Sequence, residues 1–570
     1  MSNKSKFLHT VATSFSICSA AFALMHGVAA AADDNVATDS GGLDEIIVTA
    51  EKRDIGLQNA PLSVSVMTAE TLRAANITDI TGLNGTVPSL LVARSGGGEL
   101  MLVIRGIGSE TPENTNTQPG VSYHIDGAYI FNSIAAKAAF IDVGQVEVLR
   151  GPQGTLFGQG STGGTINVVS VEPSLTDLTG YLNAGFGNYK YREAKAAVNV
   201  PIGETFAIRG AFDFLKHDGY ANATKVPGYD LYPLDDADEF GGRIAAKWQP
   251  KDNFSITLNT IQFRSDTNGP AQKNILDPDP DPRRLTQDYT GRAYVRTQLY
   301  TGVIKYEADF ATFKSITSYQ KLHSEQQWDA DGLDSVLFWN LSYSPLTYSG
   351  YTHDHVALWQ SDTESWTQEL NVSSNGSGPF SWVVGGVYLH SKNSQYINEF
   401  RSADGNILRP ALPQDTPAVS PLVSNLTYAE LSSITRKAWA VFAQGTYNFT
   451  EQLSLTAGIR YNDDQASGDS DSMSGGNSGH TSGNFLQPEV REPFSGNAVT
   501  GKVALDYRIT PANLVYASYT RGFKPGGINT SSGAYEYLGW QDAIKPTYKQ
   551  ETVDSFKSAA RTASPTTRPS

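Results

Sequence analysis

The densest run of residues with chemical potential is glycine-rich: Gly151, Gly154, Gly158, Gly160, Gly163 and Gly164 fall close together. Such a run could cradle a phosphate, but a P-loop places a Lys–Ser/Thr pair after its last glycine. Gln159-Gly160-Ser161 supplies no lysine, so the run reads as tight turns in a domain that must remodel. His353-Asp354-His355 has the spacing of metal ligands, yet no further ligand cluster accompanies it, and it reads as a loop motif. Asp469-Ser470-Asp471 opens like a calcium loop, but Met473 takes the fifth position and Gly475 is misplaced. Asp277-Pro278-Asp279-Pro280-Asp281-Pro282 reads as a stiff, solvent-facing acidic loop. Trp328, Phe338, Trp339, Tyr343, Tyr348 and Tyr351 could bind a sugar, an aromatic or an iron chelate, or belong to an interfacial girdle. No Ser/His/Asp or Cys/His constellation stands out, and the one cysteine is Cys18. The chain reads as a non-enzyme with no cofactor and no metal.

Composition narrows the class. The chain has 570 residues and a net charge of −15, which argues against a nucleic-acid partner. Its 8 Trp, 27 Tyr and 24 Phe together exceed its 43 Lys and Arg. A mean hydropathy of −0.30 argues against a helical membrane protein. Lys4 and Lys6, the apolar stretch Val11–Leu24 and the small residues Val28–Ala32 make residues 1–32 a secretory signal peptide. Its removal takes Cys18 and leaves an acidic, cysteine-free, aromatic-rich exported chain, as expected of a bacterial envelope protein.

Elements emerge from periodicity. Residues 33–52 form a leading segment, polar and glycine-rich up to the short β-prone run Asp44-Glu45-Ile46-Ile47-Val48-Thr49-Ala50. That run is either the first strand of the next domain or a strand offered to a partner's sheet edge. Residues 53–172 form an α/β domain with strands at Leu62–Val66, Leu100–Ile104, Val121–Ile125, Gln145–Leu149 and Thr165–Val169. A helix is expected at Thr68–Ala75, capped by Thr68. Arg105 and Arg150 each lie between an apolar strand and a glycine, which favours partial burial.

From about 173 the texture changes to longer segments that alternate polar and apolar residues. They are Tyr181–Tyr189, Arg192–Val200, Phe206–Lys216, Phe240–Trp248, Phe254–Arg264, Leu299–Glu307, Thr312–Gln320, Ser365–Val372, Phe380–His390, Ala438–Phe449, Leu453–Tyr461, Thr500–Tyr507 and Leu514–Arg521. A further strand begins near Glu551. Short turns, such as Gly187–Tyr191, Pro250–Asn253, Thr450–Gln452 and Thr510–Asn513, contrast with the long polar loops 265–297, 321–362, 391–435 and 462–499. Long strands with this asymmetry describe a transmembrane antiparallel β-barrel rather than a soluble sandwich.

Over most of its length the chain resembles the TonB-dependent outer-membrane receptors. Asp44–Ala50 is similar to a TonB box. Ala60–Val66, Val103-Ile104-Arg105-Gly106, Ile125-Asp126-Gly127 and Val146–Gly158 are similar to motifs of the plug, as is the continuation Ser161–Val169. Thr367-Gln368-Glu369-Leu370 and Ser518–Gly527 resemble barrel motifs. The resemblance implies a mainly β protein: an α/β plug (53–172) inside a barrel of about 22 strands. It implies import of a scarce ligand, a ferric siderophore by default, with cobalamin, haem or an oligosaccharide as alternatives. TonB, powered by ExbB–ExbD, would pull the box; outer-membrane lipid and the barrel-assembly machinery would be the other partners. It assigns the plug latch and core to Arg105, Gly106, Asp126, Gly127, Arg150, Gly151, Gly154, Phe157, Gly158, Gly163, Gly164 and Asn167. Barrel glutamates would hold the arginines, Glu369 among them.

The chain also departs from the family. Residues 173–556 hold thirteen or fourteen strands, short of about 22. Lys557 stands where the family carries a glutamate that faces the plug arginines. Residues 557–570 are polar and Pro/Ser/Thr-rich, without the family's terminal aromatic residue, and are expected to form no strand. The expectation is a receptor shortened at its C-terminus by a frameshift or an assembly error. A non-transporting binding protein or degenerate receptor is the alternative.

Overall fold

The computed structural model describes residues 47–49, 51–53, 55–57, 62–95, 99–109, 114, 116–333, 354–376, 378–402, 426–475, 484–486, 491–510, 513–530 and 546–562. The expected signal peptide (residues 1–32), Asp44–Ile46, Ala50, Ala60, Pro61, His353, the aromatics at 338–351 and residues 563–570 lie outside them.

The plug is built on a five-stranded sheet: β1 Val64–Thr68, β4 Val121–Ile125, β5 Ala128–Ile130, β6 Val143–Arg150 and β7 Gly164–Ser170, in the order β1-β6-β7-β4-β5. The β4/β7 pair is parallel and the others antiparallel. A hairpin, β2 Leu90–Ser95 and β3 Glu99–Ile104, stands apart. Helix α1 covers Ala69–Ala74, and the Thr68 side chain accepts from Thr71 N, the capping that its position predicts. Sequence reading missed β2, β5 and the 3-10 turns Ile80–Leu83 and Ser133–Phe140. β5 and the first 3-10 turn, at three and four residues, are too short for periodicity to register.

Fourteen consecutive antiparallel strands come next in the chain, each overlapping an expected segment: β8 Thr179–Phe186, β9 Arg192–Ile202, β10 Phe206–His217, β11 Ala237–Lys251, β12 Phe254–Thr267, β13 Arg292–Glu307, β14 Ala311–Asp329, β15 Asp354–Ser374, β16 Phe380–Ser402, β17 Leu426–Asn448, β18 Leu453–Gly475, β19 Phe494–Thr510, β20 Asn513–Lys524 and β21 Glu551–Thr562. Burial alternates along them in the opposite sense to a soluble protein. Ser318, Gln320, Ser324, Thr363, Ser365 and Thr367 are buried, while Leu182, Ile208, Leu258, Ile304, Val441 and Val503 are exposed. Polar side chains therefore face the lumen and apolar ones face outward, as lipid requires. Outward aromatics form two bands. Trp248, Tyr306, Phe313, Phe380 and Tyr447 lie near the short turns; Tyr300, Tyr319, Trp366, Tyr388 and Trp439 lie further up.

Three differences from expectation have physical causes. First, β15 to β18 run 21 to 23 residues, far more than the roughly 10 that cross a membrane. Their upper halves, such as Ser432-Ser433-Ile434-Thr435-Arg436, are polar on both faces, so the dyad fades while backbone pairing continues. Second, the turn Gly187–Tyr191 belongs to the long-loop end. Tyr189 O accepts from Asp218 N at 2.7 Å, and Tyr189 Oη accepts from Arg283 Nη1 at 2.9 Å. Third, β21 passes Phe556 and pairs with β20 as far as Thr562↔Asn513. The boundary expected at 557 falls inside this strand, because small residues such as Ser558, Ala559 and Ala560 are tolerated on either face.

The sheet is open. Among the described residues, β8 pairs only with β9 and β21 only with β20. The plug core is completed by the wall: Ile261, Phe263, Val295, Leu299 and Leu322 join the cluster around Ile104, Tyr123, Ile134 and Val148.

Candidate functional site

Residues 47–49 and 51–53 form a strap that crosses the lumen near the short-turn end. Ile47-Val48 pairs with Ile55-Gly56. Val48 is fully buried among Leu62, Val64, Leu149, Leu156, Phe157 and two wall residues, Val383 and Phe442. Thr49 is held by Glu147 of β6. Its backbone N donates to Oε1 at 2.8 Å, and its hydroxyl reaches Oε2 at 3.1 Å. Asn167 Nδ2 donates to both Thr49 Oγ1 and Glu147 Oε2, at 3.1 and 3.2 Å. Gln145 Nε2 donates to Glu147 Oε1 at 2.8 Å and to Ile47 O at 3.2 Å.

The next two residues reach the wall. Glu51 pairs with Lys502 of β19 at 2.8 Å, and Lys52 with Glu369 of β15 at 2.8 Å. Lys52 Nζ also stands 4.9 Å from the Phe157 ring centre. Burial raises the Glu51 carboxyl, but the Lys502 cation and its hydrogen bond pull it below the ordinary carboxylate value. Glu369 thus has a different partner from the one expected. It holds the strap and is paired with neither Arg105 nor Arg150.

A buried ion-pair cluster between plug and wall has the opposite polarity to the expected latch. Asp142, on the plug, accepts from Arg209 Nε at 2.7 Å and Nη2 at 2.6 Å, and from Arg243 Nη1 at 2.7 Å. All three side chains are buried. Arg243 continues to Val171 O and to Asn259 Oδ1. Asn259 Nδ2 donates to Asp126 at 2.7 Å, and Asp126 also accepts from Ser170 N and Oγ. Sequence reading missed Glu51, Lys52, Asp142, Glu147, Arg209, Arg243 and Lys502. Arg209 and Arg243 carried a partial signal: each sits at a lumen-facing position flanked by small or apolar residues, in Ala207-Ile208-Arg209-Gly210-Ala211 and Gly241-Gly242-Arg243-Ile244-Ala245, and buried charges require partners.

Arg105 and Arg150 come together without an acid among the described residues. Arg105 and Gly106 turn the chain after β3 with φ of 54° and 78°. Arg105 Nη1 lies against Gly151, and Arg150 is partly buried with Nε lacking a hydrogen-bond partner among the described residues. Burial, then the neighbouring Arg105 cation, pushes the Arg150 guanidinium below its ordinary value. The other charges that bear on Lys557 are Arg105, Arg150, Arg561 and Lys502, so position 557 adds a cation to this group. Arg561 Nη2 donates to Leu62 O at 2.6 Å. Within the glycine-rich run, Gly158 has φ of 79°, where a side chain is strained, and a Cβ there would stand 2.5 Å from Arg460 Nη2 of the wall, which would have to move. Thr500 Oγ1 donates to Gly154 O at 2.9 Å. Gly163 and Gly164 lead into β7, and Gly127 closes the β4–β5 turn.

His124 is buried at the centre, edge-on to Tyr129 and Phe157 at 5.5 and 5.0 Å. Burial, then the Lys52 cation, pushes its pKa down to about 3. The unfolded value is about 6.5, so its contribution to plug stability is complete above pH 6.5 and declines progressively as pH falls toward 3. A His124→Phe variant should therefore lose less plug stability than the parent between pH 7 and pH 4, as read by denaturant midpoints. Equal losses in the two proteins would contradict this assignment.

A cavity of about 1230 Å³ lies between plug and wall at the short-turn end, bordered by Thr49, Lys52, Asp126, Asn167, Asn371 and Gln452. At the opposite end, Asn116 of the plug is clamped by Asn393 Nδ2 at 3.0 Å and Ser432 Oγ at 2.9 Å. Above it the loops pack a small core of their own around Ala223, Tyr232, Leu234 and Leu285. Pro278, Pro280, Asp281 and Pro282 of the acidic loop face solvent as expected, while the side chain of Asp277 is enclosed. Its carboxylate accepts from Asp279 N and Thr286 N at 2.9 and 3.0 Å. Of the aromatics singled out in the sequence, the described one, Trp328, lies on β14 beside Trp359.

The family described as TonB dependent receptor-like, beta-barrel matches residues 230–557, and the TonB-dependent Receptor Plug Domain matches residues 56–165. The pesticin receptor of Yersinia pestis is 23% identical over 518 residues, covering 87% of this chain and 66% of the relative. The ferric-pyoverdine 358 receptor of Pseudomonas putida is 21% identical, covering 86% and 58%. The chain thus spans two thirds or less of the length of these curated relatives. Among solved structures, the ferric yersiniabactin uptake receptor FyuA from Yersinia pestis superposes with a TM-score of 0.69 at 19% identity, covering 89% of this chain and 70% of that one. With plug and wall both matched, and the plug seated against the wall, the chain belongs to the family of TonB-dependent receptors.

Proposed function

We propose that this chain serves the energy-coupled import of a ferric siderophore across the outer membrane. The observation that carries the proposal is the strap. Residues 47–49 and 51–53 hold a short paired strand with Val48 buried, and two wall bridges, beside a cavity at the short-turn end, while the plug is anchored separately through Asp142. A pull on Asp44–Ala50 would withdraw the strap and enlarge that cavity, with Asp142 still holding the plug. The box would add as a strand to TonB. ExbB–ExbD would supply the work, since the outer membrane has no nucleotide of its own. Removal of residues 1–32 and insertion by the barrel-assembly machinery would precede this. The siderophore class rests on relatives whose names specify ferric-pyoverdine and ferric yersiniabactin.

Deleting residues 44–50 should abolish uptake of a radio-iron siderophore by whole cells while surface binding persists. Unchanged uptake would overturn the coupling.

A further inference from the structure

Glu147 combines two properties that rarely occur together. It is fully buried, which pushes its carboxyl above the ordinary value, and what opposes that rise and favours the carboxylate is hydrogen bonds from Thr49, Asn167 and Gln145 rather than a cation. Its four donors are Thr49 N, Thr49 Oγ1, Gln145 Nε2 and Asn167 Nδ2. Gln145 and Asn167 are neighbours on the plug sheet and fix the carboxylate in place. The other two donors belong to the strap. A carboxylate accepts only, so the site can hold donors on every side. The cavity that borders Thr49 and Asn167 would bring water to the carboxylate once Thr49 leaves.

We infer that Glu147 is the catch that stows the strap: a positioning residue that withholds the box segment from its periplasmic partner until the strap is released. This rests on the reading of Asp44–Ala50 as a TonB box. The stowed fraction lowers the partner's apparent affinity in proportion. Hydrogen bonds to a charged group are among the stronger ones, so the catch is worth about tenfold or more in affinity.

The shape-conserving variant Glu147→Gln turns an acceptor into an N–H donor that faces other donors, and so opens the catch. Thr49→Val removes the strap hydroxyl but leaves the plug core untouched, so it reports even if Glu147→Gln fails to fold. The measurement is the affinity of the whole receptor, in lipid vesicles without siderophore, for the purified periplasmic domain of TonB. Glu147→Gln should tighten binding about tenfold, Thr49→Val less, and the double variant no more than Glu147→Gln alone. Additive effects in the double variant would show that Glu147 does not act through Thr49 and would overturn the catch. So would loss of binding on deleting 44–50 together with no change in either point variant, an outcome that leaves the box reading intact. Binding that survives the deletion would instead remove the box reading itself.

Discussion

Asp142→Ala should loosen the plug by about 3–5 kcal/mol, the usual cost of removing one member of a buried ion pair. The size reflects the two cations left behind. Arg209 and Arg243 are both buried. The alanine takes away the carboxylate that accepts both bonds from Arg209, whereas Arg243 keeps Val171 O and Asn259 Oδ1. Asp142→Asn keeps the shape but loses the charge, and should fall between parent and alanine. The measurement is the guanidinium midpoint of plug unfolding, with β-structure of the wall followed in parallel. A plug transition unmoved in Asp142→Ala would remove this residue from the role of anchor.

Lys52→Met should free the strap by about 3 kcal/mol, because Glu369 would be left buried without its cation. The double variant Lys52→Met/Glu369→Gln should recover most of that loss, since replacing both members of a buried pair is often close to neutral. The rate of trypsin cleavage after Arg53 reports release of the strap. Equal cleavage in the single and double variants would mean that the bridge does not hold it.

The strands of the wall were legible because lipid outside and polar groups inside impose a strict dyad, clear in Phe206-Ala207-Ile208-Arg209-Gly210-Ala211-Phe212. Their upper ends were not, because above the membrane both faces of β17 and β18 are wet and only backbone pairing sets the limit. In the plug, short apolar runs located β1, β4, β6 and β7 to within two residues. The site was less legible. The β-prone character of Ile46–Thr49 is a local property, but its dock, Glu147, lies 98 residues from Thr49. The expected latch joined plug arginines to barrel glutamates. The structure joins a plug aspartate to barrel arginines, and sequence alone fixes which charges are buried without fixing which ones meet. Lys557 shows the same limit: the alternation of β21 gives its face, while its cationic surroundings arise from the packing of four separate segments.

Glu51 and Lys52 are adjacent, yet they tie to strands on different parts of the wall, β19 and β15. The strap is therefore moored like a crossbar rather than stitched along one side. Tension on residues 44–50 would reach both moorings nearly together, so they would share the load instead of parting one after the other like a zipper. Shared loading raises the rupture force and makes release abrupt. A weak tug would be resisted, and a sufficient one would clear the strap in a single step.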